Sequence, residues 1–176
     1  DALPISFVAA FAQEEQDLGR FNLAIFGKSG VGKSTLINAV FGENVANTGI
    51  GEPVTKDSQL HVHREGSLGI YDTRGLEIGE DGKKIIKELR SYIAKTRKAD
   101  LSEQIHVVWY CVRAGDNRFE VHEADFIREL HKLGLPVICV MTQVATNAGV
   151  PKPDAVELAA HIESLGLPLP DKHVYL

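Results

Sequence analysis

Cysteine is scarce in this chain, with two residues among 176. Cys111 and Cys139 each lie inside an apolar run typical of a buried strand, so we expect reduced core residues of a cytoplasmic protein rather than a disulfide or metal pair. No apolar run approaches the roughly 20 residues that a membrane-spanning helix needs, although a peripheral membrane position of the full-length protein stays open. Excess positive charge is also lacking, and the net charge of −5 argues against a general affinity for nucleic acid.

Internal repeats and low-complexity segments are absent as well, and the length suits one domain with a sizeable core. Residues 3–12 are apolar enough to resemble the core of a secretion signal, but no basic flank precedes them. We therefore predict an N-terminal helix or connector over residues 1–19 and the main domain over residues 20–176. Because the chain starts at Asp1 and stops inside a predicted strand, we expect a C-terminally truncated fragment of a longer protein.

Short apolar runs alternate with helical patterns from residue 21 onward. This alternation predicts βαβ units and a mostly parallel sheet with helices on both faces. A short turn containing Gly66 joins two of the runs, so we expect a hairpin that places one antiparallel strand at the sheet edge. Ligands of such α/β sheets bind at the carboxyl ends of the strands. The predicted strands are residues 21–26, 59–63, 68–71, 105–112, 136–141 and 173–176, and the predicted helices follow Lys33 and lie within 83–98, 121–133 and 153–165.

A glycine-rich motif, G-x-x-x-x-G-K-[ST], lies between the first predicted strand and the first predicted helix. Its glycines leave backbone N–H groups free to surround phosphate oxygens, and the helix N-terminus behind them favours negative charge. Lys33 is expected to reach the β- and γ-phosphates of a nucleoside triphosphate, and the Ser34 hydroxyl to hold Mg²⁺. The predicted binding residues are Gly27, Lys28, Ser29, Gly30, Val31, Gly32, Lys33, Ser34 and Thr35.

Two further segments suit a metal and a γ-phosphate. Asp72 follows a predicted strand, where a carboxylate can support Mg²⁺ through water, and the Gly75 backbone N–H is expected to contact the γ-phosphate. The glycine-rich loop before the hairpin carries Thr55, which we expect to close over Mg²⁺ and the γ-phosphate; Thr48 is the alternative. The predicted catalytic residues are therefore Lys33, Thr55 and Gly75, and the predicted metal ligands are Ser34, Thr55 and Asp72.

These segments together resemble the translation-factor-related class of P-loop GTPases. Residues 32–42 are very similar to the Era-like and septin-like members, and residues 53–57 and 72–76 match their switch motifs in order and spacing. The resemblance covers nearly all of the chain from residue 21. It implies a three-layer αβα Ras-like G domain with a six-stranded sheet, GTP and Mg²⁺ as ligands, and hydrolysis to GDP and phosphate.

The chain departs from the family pattern at the residue after Gly75. Ras-like members carry a glutamine there that orients the attacking water, whereas this chain has Leu76. We therefore expect slow intrinsic hydrolysis. Water activation is left to a partner chain, a second copy of this domain in a homodimer through the nucleotide face, or potassium.

The base-recognition motif departs as well. The family pattern [NT]-K-x-D is expected after the strand that ends near Met141, but Thr142, Gln143, Val144 and Ala145 stand there. The aspartate that reads guanine is missing, and Gln143 replaces the lysine that packs on the base. We expect Thr142 and Gln143 to contact the nucleotide, with Asn147 as a candidate for compensation, and we expect a reduced preference for GTP over ATP.

Two alternative functions stay open from the sequence. Lys28 resembles the extra lysine of ParA/MinD-like ATPases, which reaches across a dimer to the nucleotide of the second subunit. The other alternative is a nucleotide-gated binding module that recruits an unknown protein effector through residues 48–57 and the loop after Gly75, with incidental hydrolysis.

Overall fold

The computed structural model describes residues 19–41, 52–53, 58–62, 66–73, 78–116 and 118–176. Apart from Gly19, the predicted N-terminal helix or connector over residues 1–19 lies outside them. In the described residues, no helix combines the length and the apolar character needed to cross a membrane.

A seven-stranded sheet forms the centre of the structure. Its strand order is β2-β3-β4-β1-β5-β6-β9, with β4, β1, β5, β6 and β9 parallel and with β2 and β3 in antiparallel pairing at one edge. The predicted mostly parallel sheet of six strands is confirmed, and the two-residue β2 extends its antiparallel edge. A separate hairpin pairs β7 with β8. The strands are β1 (Phe21–Gly27), β2 (Glu52–Pro53), β3 (Ser58–Val62), β4 (Leu68–Thr73), β5 (Val107–Arg113), β6 (Val137–Thr142), β7 (Thr146–Asn147), β8 (Val150–Pro151) and β9 (Val174–Tyr175).

Four described α-helices cover the two faces of this sheet. They are α1 (Lys33–Phe41), α2 (Ile78–Thr96), α3 (Val121–Lys132) and α4 (Pro153–Ser164). Helix α2 has the strongest amphipathic pattern, since Ile78, Ile85, Ile86 and Leu89 lie on its buried side. Its first turn carries Glu80 and its last turn carries Lys95, so both side chains interact favourably with the helix dipole.

The core is divided by the sheet into two parts. The larger part lies under α2, α3 and α4 and includes Phe26, Tyr110 and Ile127, whereas the smaller part lies under α1 and includes Ile25 and Ile37. The three-layer arrangement predicted from the sequence is therefore confirmed.

The two cysteines are free and lie in different parts of this core. Cys111 belongs to the smaller part and Cys139 to the larger part, because successive side chains of a strand point to opposite faces. Burial raises the pKa of each thiol to about 12. Neutral thiols on opposite faces suit packing and not a disulfide, as the sequence predicts.

A network of hydrogen bonds around Asn22 connects the amino end of β1 to the segment before β5. The Asn22 side chain is fully buried and donates to the carbonyl oxygens of Ser102 and Gln104, both at 2.7 Å. The Asn22 backbone N–H donates to Nδ1 of His106 at 2.8 Å, and Nε2 of that ring lies 2.8 Å from the Leu101 carbonyl oxygen. This arrangement requires a neutral imidazole, because only an unprotonated Nδ1 accepts a hydrogen bond.

We expect the free energy of unfolding to depend on the protonation of His106. Burial, aided by the Arg20 charge, lowers the pKa of His106 below its ordinary value, against a smaller opposite effect of the bond to Leu101. The unfolded chain therefore binds the proton more readily than the folded chain. The contribution of neutral His106 to the free energy of unfolding is full above about pH 6.5, and it is lost as the pH falls through the lower pKa of the folded state. The urea midpoint measured from about pH 7.5 down to about pH 5.5 is expected to fall.

His106→Gln is the matched control, because its amide can accept from Asn22 and donate to Leu101 without titrating. Its urea midpoint is expected to change less over the same pH range. An equal change in both proteins would contradict the assignment.

Candidate functional site

The predicted phosphate loop connects β1 to α1 at the carboxyl edge of the sheet. Gly27 ends β1 with a φ of +152°, and a Cβ atom there would lie 2.5 Å from the Cys111 carbonyl oxygen. Gly32 has a φ of +89°, which also favours glycine. The backbone therefore turns tightly between β1 and α1, close to β5, and the helix begins directly behind the loop. The nine predicted residues from Gly27 to Thr35 all lie in this turn and in the first turn of α1.

The Lys33 side chain folds back over the loop. Its ammonium donates to the carbonyl oxygens of Gly27 at 3.0 Å and of Lys28 at 2.9 Å. These bonds hold the charge at the mouth of the loop, where a phosphate group is expected. Lys33 is thus positioned by the loop that carries it.

A small cavity of about 40 Å³ brings together two of the three predicted metal ligands. Ser34 at the start of α1 and Asp72 near the end of β4 both line it, together with Lys33. A hydroxyl and a carboxylate are oxygen donors of the kind that Mg²⁺ prefers, so the residues present fit this ion. Since β4 and β1 are parallel neighbours, their carboxyl ends meet here.

His61 also lines this cavity, a position that the sequence did not predict. It is buried on β3 and pairs in register with Ile70 of β4, two positions before Asp72. From the sequence, His61 belongs to the predicted strand 59–63, and no local pattern places that strand near the phosphate loop. Only the strand register locates it.

The predicted base-recognition residues lie beside the phosphate loop at the end of β6. The buried Thr142 hydroxyl donates to the carbonyl oxygen of Val31, and it lies 3.4 Å from that of Val112. Gln143 has a φ of +53° and is exposed, with its Nε2 atom 3.1 Å from the position of a Cβ on Gly32. The structure therefore brings Thr142 and Gln143 to the loop, and their contact with a base stays a prediction.

Asn147 lies in the hairpin that follows. It pairs with Val150 across a two-residue turn in which Ala148 and Gly149 both have positive φ. This turn is typical of a tight hairpin. The Asn147 side chain is exposed, so its proposed compensating role also stays a prediction.

Lys28 forms ion pairs with two carboxylates beside the predicted phosphate loop. Its ammonium lies 3.0 Å from Oε2 of Glu120 and 3.1 Å from Oε2 of Glu123, at the N-terminus of α3. Burial alone lowers the pKa of Lys28, but hydrogen bonds to both carboxylates outweigh it and raise the pKa above the ordinary value. The same bond lowers the pKa of Glu120. The sequence reasoning did not single out Glu120 or Glu123.

Several predicted residues lie outside the described part of the chain. These are Thr48, Thr55, Gly75 and Leu76. Their assignments to the γ-phosphate, the metal and water orientation stay predictions.

Comparisons with known proteins agree on one family. A family model described as 50S ribosome-binding GTPase matches residues 22–143. GTPase Era of Azotobacter vinelandii is 31% identical over 163 residues, which are 92% of this chain and 50% of that protein. The chain thus spans about half the length of the curated relatives it matches.

Two solved structures resemble the fold. A dimerization-deficient mutant of Toc33 from Arabidopsis thaliana has a TM-score of 0.62 at 15% identity, over 96% of this chain and 71% of that one. Era of Aquifex aeolicus bound to GDP.AlF4- has a TM-score of 0.54 at 21% identity, over 88% of this chain and 49% of that one. At these identities the likeness concerns the fold alone, and it agrees with the predicted Ras-like arrangement.

The hydrogen bond from the Thr142 hydroxyl to the Val31 carbonyl is expected to support nucleotide binding by the phosphate loop. Thr142→Val leaves the buried Val31 carbonyl without this donor, so we expect a loss of about 1 kcal/mol in the free energy of unfolding and about fivefold weaker GDP binding. Fluorescence titration with labelled GDP and urea unfolding measure the two effects. Thr142→Ser keeps the hydroxyl and is expected to bind GDP like the unaltered protein; equal weakening by both substitutions would contradict the role of the bond.

Proposed function

We propose that this chain, which belongs to the family of 50S ribosome-binding GTPases, binds GTP with Mg²⁺ and hydrolyses it slowly to GDP and phosphate as a molecular switch. The observation that carries the proposal is the common cavity of Lys33, Ser34 and Asp72 behind the phosphate loop. A cation and a hydroxyl at one helix N-terminus, together with a carboxylate on the neighbouring strand, suit a metal-bound triphosphate.

Lys33 has the central role in this proposal. When the nucleotide binds, the ammonium exchanges the carbonyl oxygens of Gly27 and Lys28 for oxygens of the β- and γ-phosphates. The loop N–H groups and the α1 dipole add further positive potential, so charge that develops during phosphoryl transfer is stabilised by groups already in place. Ser34 and Asp72 would hold Mg²⁺, which would supply positive charge beside the phosphates of the bound nucleotide.

The source of water orientation lies elsewhere. Leu76 replaces the glutamine of Ras-like members, and a hydrocarbon side chain orients no water, so we propose a slow intrinsic rate that a partner or a second copy accelerates. We propose that Thr55 closes over the metal and that the Gly75 N–H follows the γ-phosphate. The crystallised dimerization-deficient mutant of Toc33 supports testing a homodimer through the nucleotide face.

The ATPase alternative is less well supported. In ParA/MinD-like proteins the extra lysine reaches across a dimer, but here the Lys28 ammonium is bound to Glu120 and Glu123 of its own chain. Reaching another subunit requires breaking both ion pairs and leaving the buried Glu123 carboxylate uncompensated.

Single-turnover hydrolysis of GTP tests the proposed activity. We expect a rate far below a typical enzyme turnover of about 10 per second, with loss of activity on removing Mg²⁺ with EDTA. Asp72→Asn keeps the shape of the side chain and removes its charge, so we expect it to raise the Mg²⁺ concentration needed for half-maximal rate. A rate that rises with protein concentration supports the homodimer.

Two outcomes oppose this proposal. A rate near that of a typical enzyme contradicts slow intrinsic hydrolysis, and full activity in EDTA contradicts the Mg²⁺ requirement. Lys152→Ala is a suitable control, because this exposed lysine lies beyond β8 and outside the phosphate loop.

Titration with GTP, ATP and xanthosine triphosphate tests base selectivity. Gln143 offers an amide but no cation, and Ala145 offers no carboxylate to the guanine edge. A site with a buried hydrogen bond to its substrate rejects an analogue lacking it by about 10⁴ or more. We expect GTP to bind more tightly than ATP by calorimetry, but with a margin below this value. A clear preference for ATP would favour the ParA/MinD-like alternative.

A further inference from the structure

The phosphate loop is joined to α3 by a cluster of three charged side chains. Lys28 contributes the cation, and Glu120 and Glu123 contribute carboxylate oxygens 3.0 and 3.1 Å from its ammonium. Glu120 precedes α3 and Glu123 lies in its first turn, where the two residues form a capping box. The contact therefore connects the loop to the end of a helix whose own start is well defined.

Glu123 is the fixed member of this cluster. Its side chain is only 2% exposed, and its Oε1 atom accepts a hydrogen bond from the Tyr110 hydroxyl at 3.0 Å. Its Oε2 atom accepts from the Glu120 backbone N–H at 2.9 Å. A buried carboxylate held in this way requires a cation nearby, and Lys28 supplies it.

The connection continues from Lys28 into the phosphate loop itself. The carbonyl oxygen of Lys28 accepts one of the two hydrogen bonds from the Lys33 ammonium. The position of residue 28 therefore bears on both the loop backbone and the lysine expected to contact the phosphates.

We propose that Lys28, Glu120 and Glu123 act as positioning residues for nucleotide binding, as a charge latch that holds the phosphate loop against α3. The inference rests on the proposed nucleotide binding and adds two residues outside any nucleotide-binding motif. The latch acts through the loop backbone, so none of its side chains needs to contact the nucleotide. It also explains why an ion pair that is costly to desolvate is kept beside the loop.

The same side chains invite a second interpretation as a metal site. Ligand atoms of Glu120, His122 and Glu123 lie within 4.8 Å of one another, the one such group found in the described residues. The Lys28 ammonium, however, already lies on the Oε2 atoms of both carboxylates. A metal ion there would face a neighbouring positive charge, so the geometry favours the latch.

GDP affinity of latch variants tests the proposal. Lys28→Met keeps the length of the side chain and removes its charge, and we expect about tenfold weaker GDP binding by titration with labelled GDP. Lys28→Arg keeps the charge and is expected to restore affinity to within about threefold. Glu120→Gln, at a partly exposed position, weakens one of the two contacts and is expected to have a smaller effect than Lys28→Met.

A double-mutant cycle separates the latch from a general loss of stability. We expect the double variant Lys28→Met, Glu123→Gln to bind GDP about as tightly as Lys28→Met alone, because the first substitution already breaks the contact that the second removes. Urea unfolding of each variant reports the folded fraction under the titration conditions. Lys132→Met is the matched control, since it removes an exposed Lys132–Glu129 ion pair from the same helix and is expected to leave GDP affinity unchanged.

Three results would overturn the latch. These are GDP affinity of Lys28→Met within twofold of the unaltered protein, additive effects in the double variant, and equal weakening by Lys132→Met. If Lys28→Met does not fold, Glu120→Gln decides, and unchanged affinity in that variant also overturns the latch. Failure of the unaltered protein to bind GDP or GTP would instead overturn the proposed function.

Discussion

The parallel pairing of β1 with β4 and β5 determines where the predicted phosphate loop lies relative to Asp72. In this register Gly27 at the end of β1 faces Cys111, and the end of β4 brings Asp72 alongside. The close approach of Gly27 to the Cys111 carbonyl leaves no room for a Cβ atom, so the loop must turn at this point. The predicted phosphate loop, the described predicted metal ligands and the predicted base-recognition segment thus share one edge of the sheet because their strands run in one direction.

The phosphate loop is held by groups from three different elements. Thr142 at the end of β6 donates to the Val31 carbonyl, Lys28 is bound at the start of α3, and Lys33 of α1 bonds back to two loop carbonyls. These contacts restrain a loop that is expected to present its N–H groups to an anion. This is how a short glycine-containing segment keeps a defined shape without a large side-chain core of its own.

The sequence predicts the positions of two parts of the candidate site from local information. The motif around Lys33 spans nine consecutive residues, and Asp72 follows a recognisable strand, so both could be placed by pattern alone. Membership of the GTPase family and the three-layer fold are confirmed on the same basis. The mostly parallel order also follows from the alternation of strands and helices.

The remaining parts depend on contacts between distant positions. Glu123 has the pattern of an ordinary residue in a helix first turn, and its pairing with Lys28 becomes visible only when α3 packs beside the phosphate loop. His61 reaches the Asp72 cavity through the register of β3 with β4, which no local pattern specifies. The roles of Thr55, Gly75 and Gln143 stay predictions, because they depend on a bound nucleotide or on residues outside the described part.

The hydrogen-bond network around Asn22, at the amino ends of the strands, has a consequence for amide hydrogen exchange. There the backbone of β1 is tied to the segment before β5 by hydrogen bonds from a fully buried amide, whereas its other end passes directly into the phosphate loop. Exchange requires local opening, and opening is rarer where more bonds must break together. Deuterium uptake along β1 should therefore rise from its amino end to its carboxyl end, so that the strand shows a gradient of local unfolding along its length.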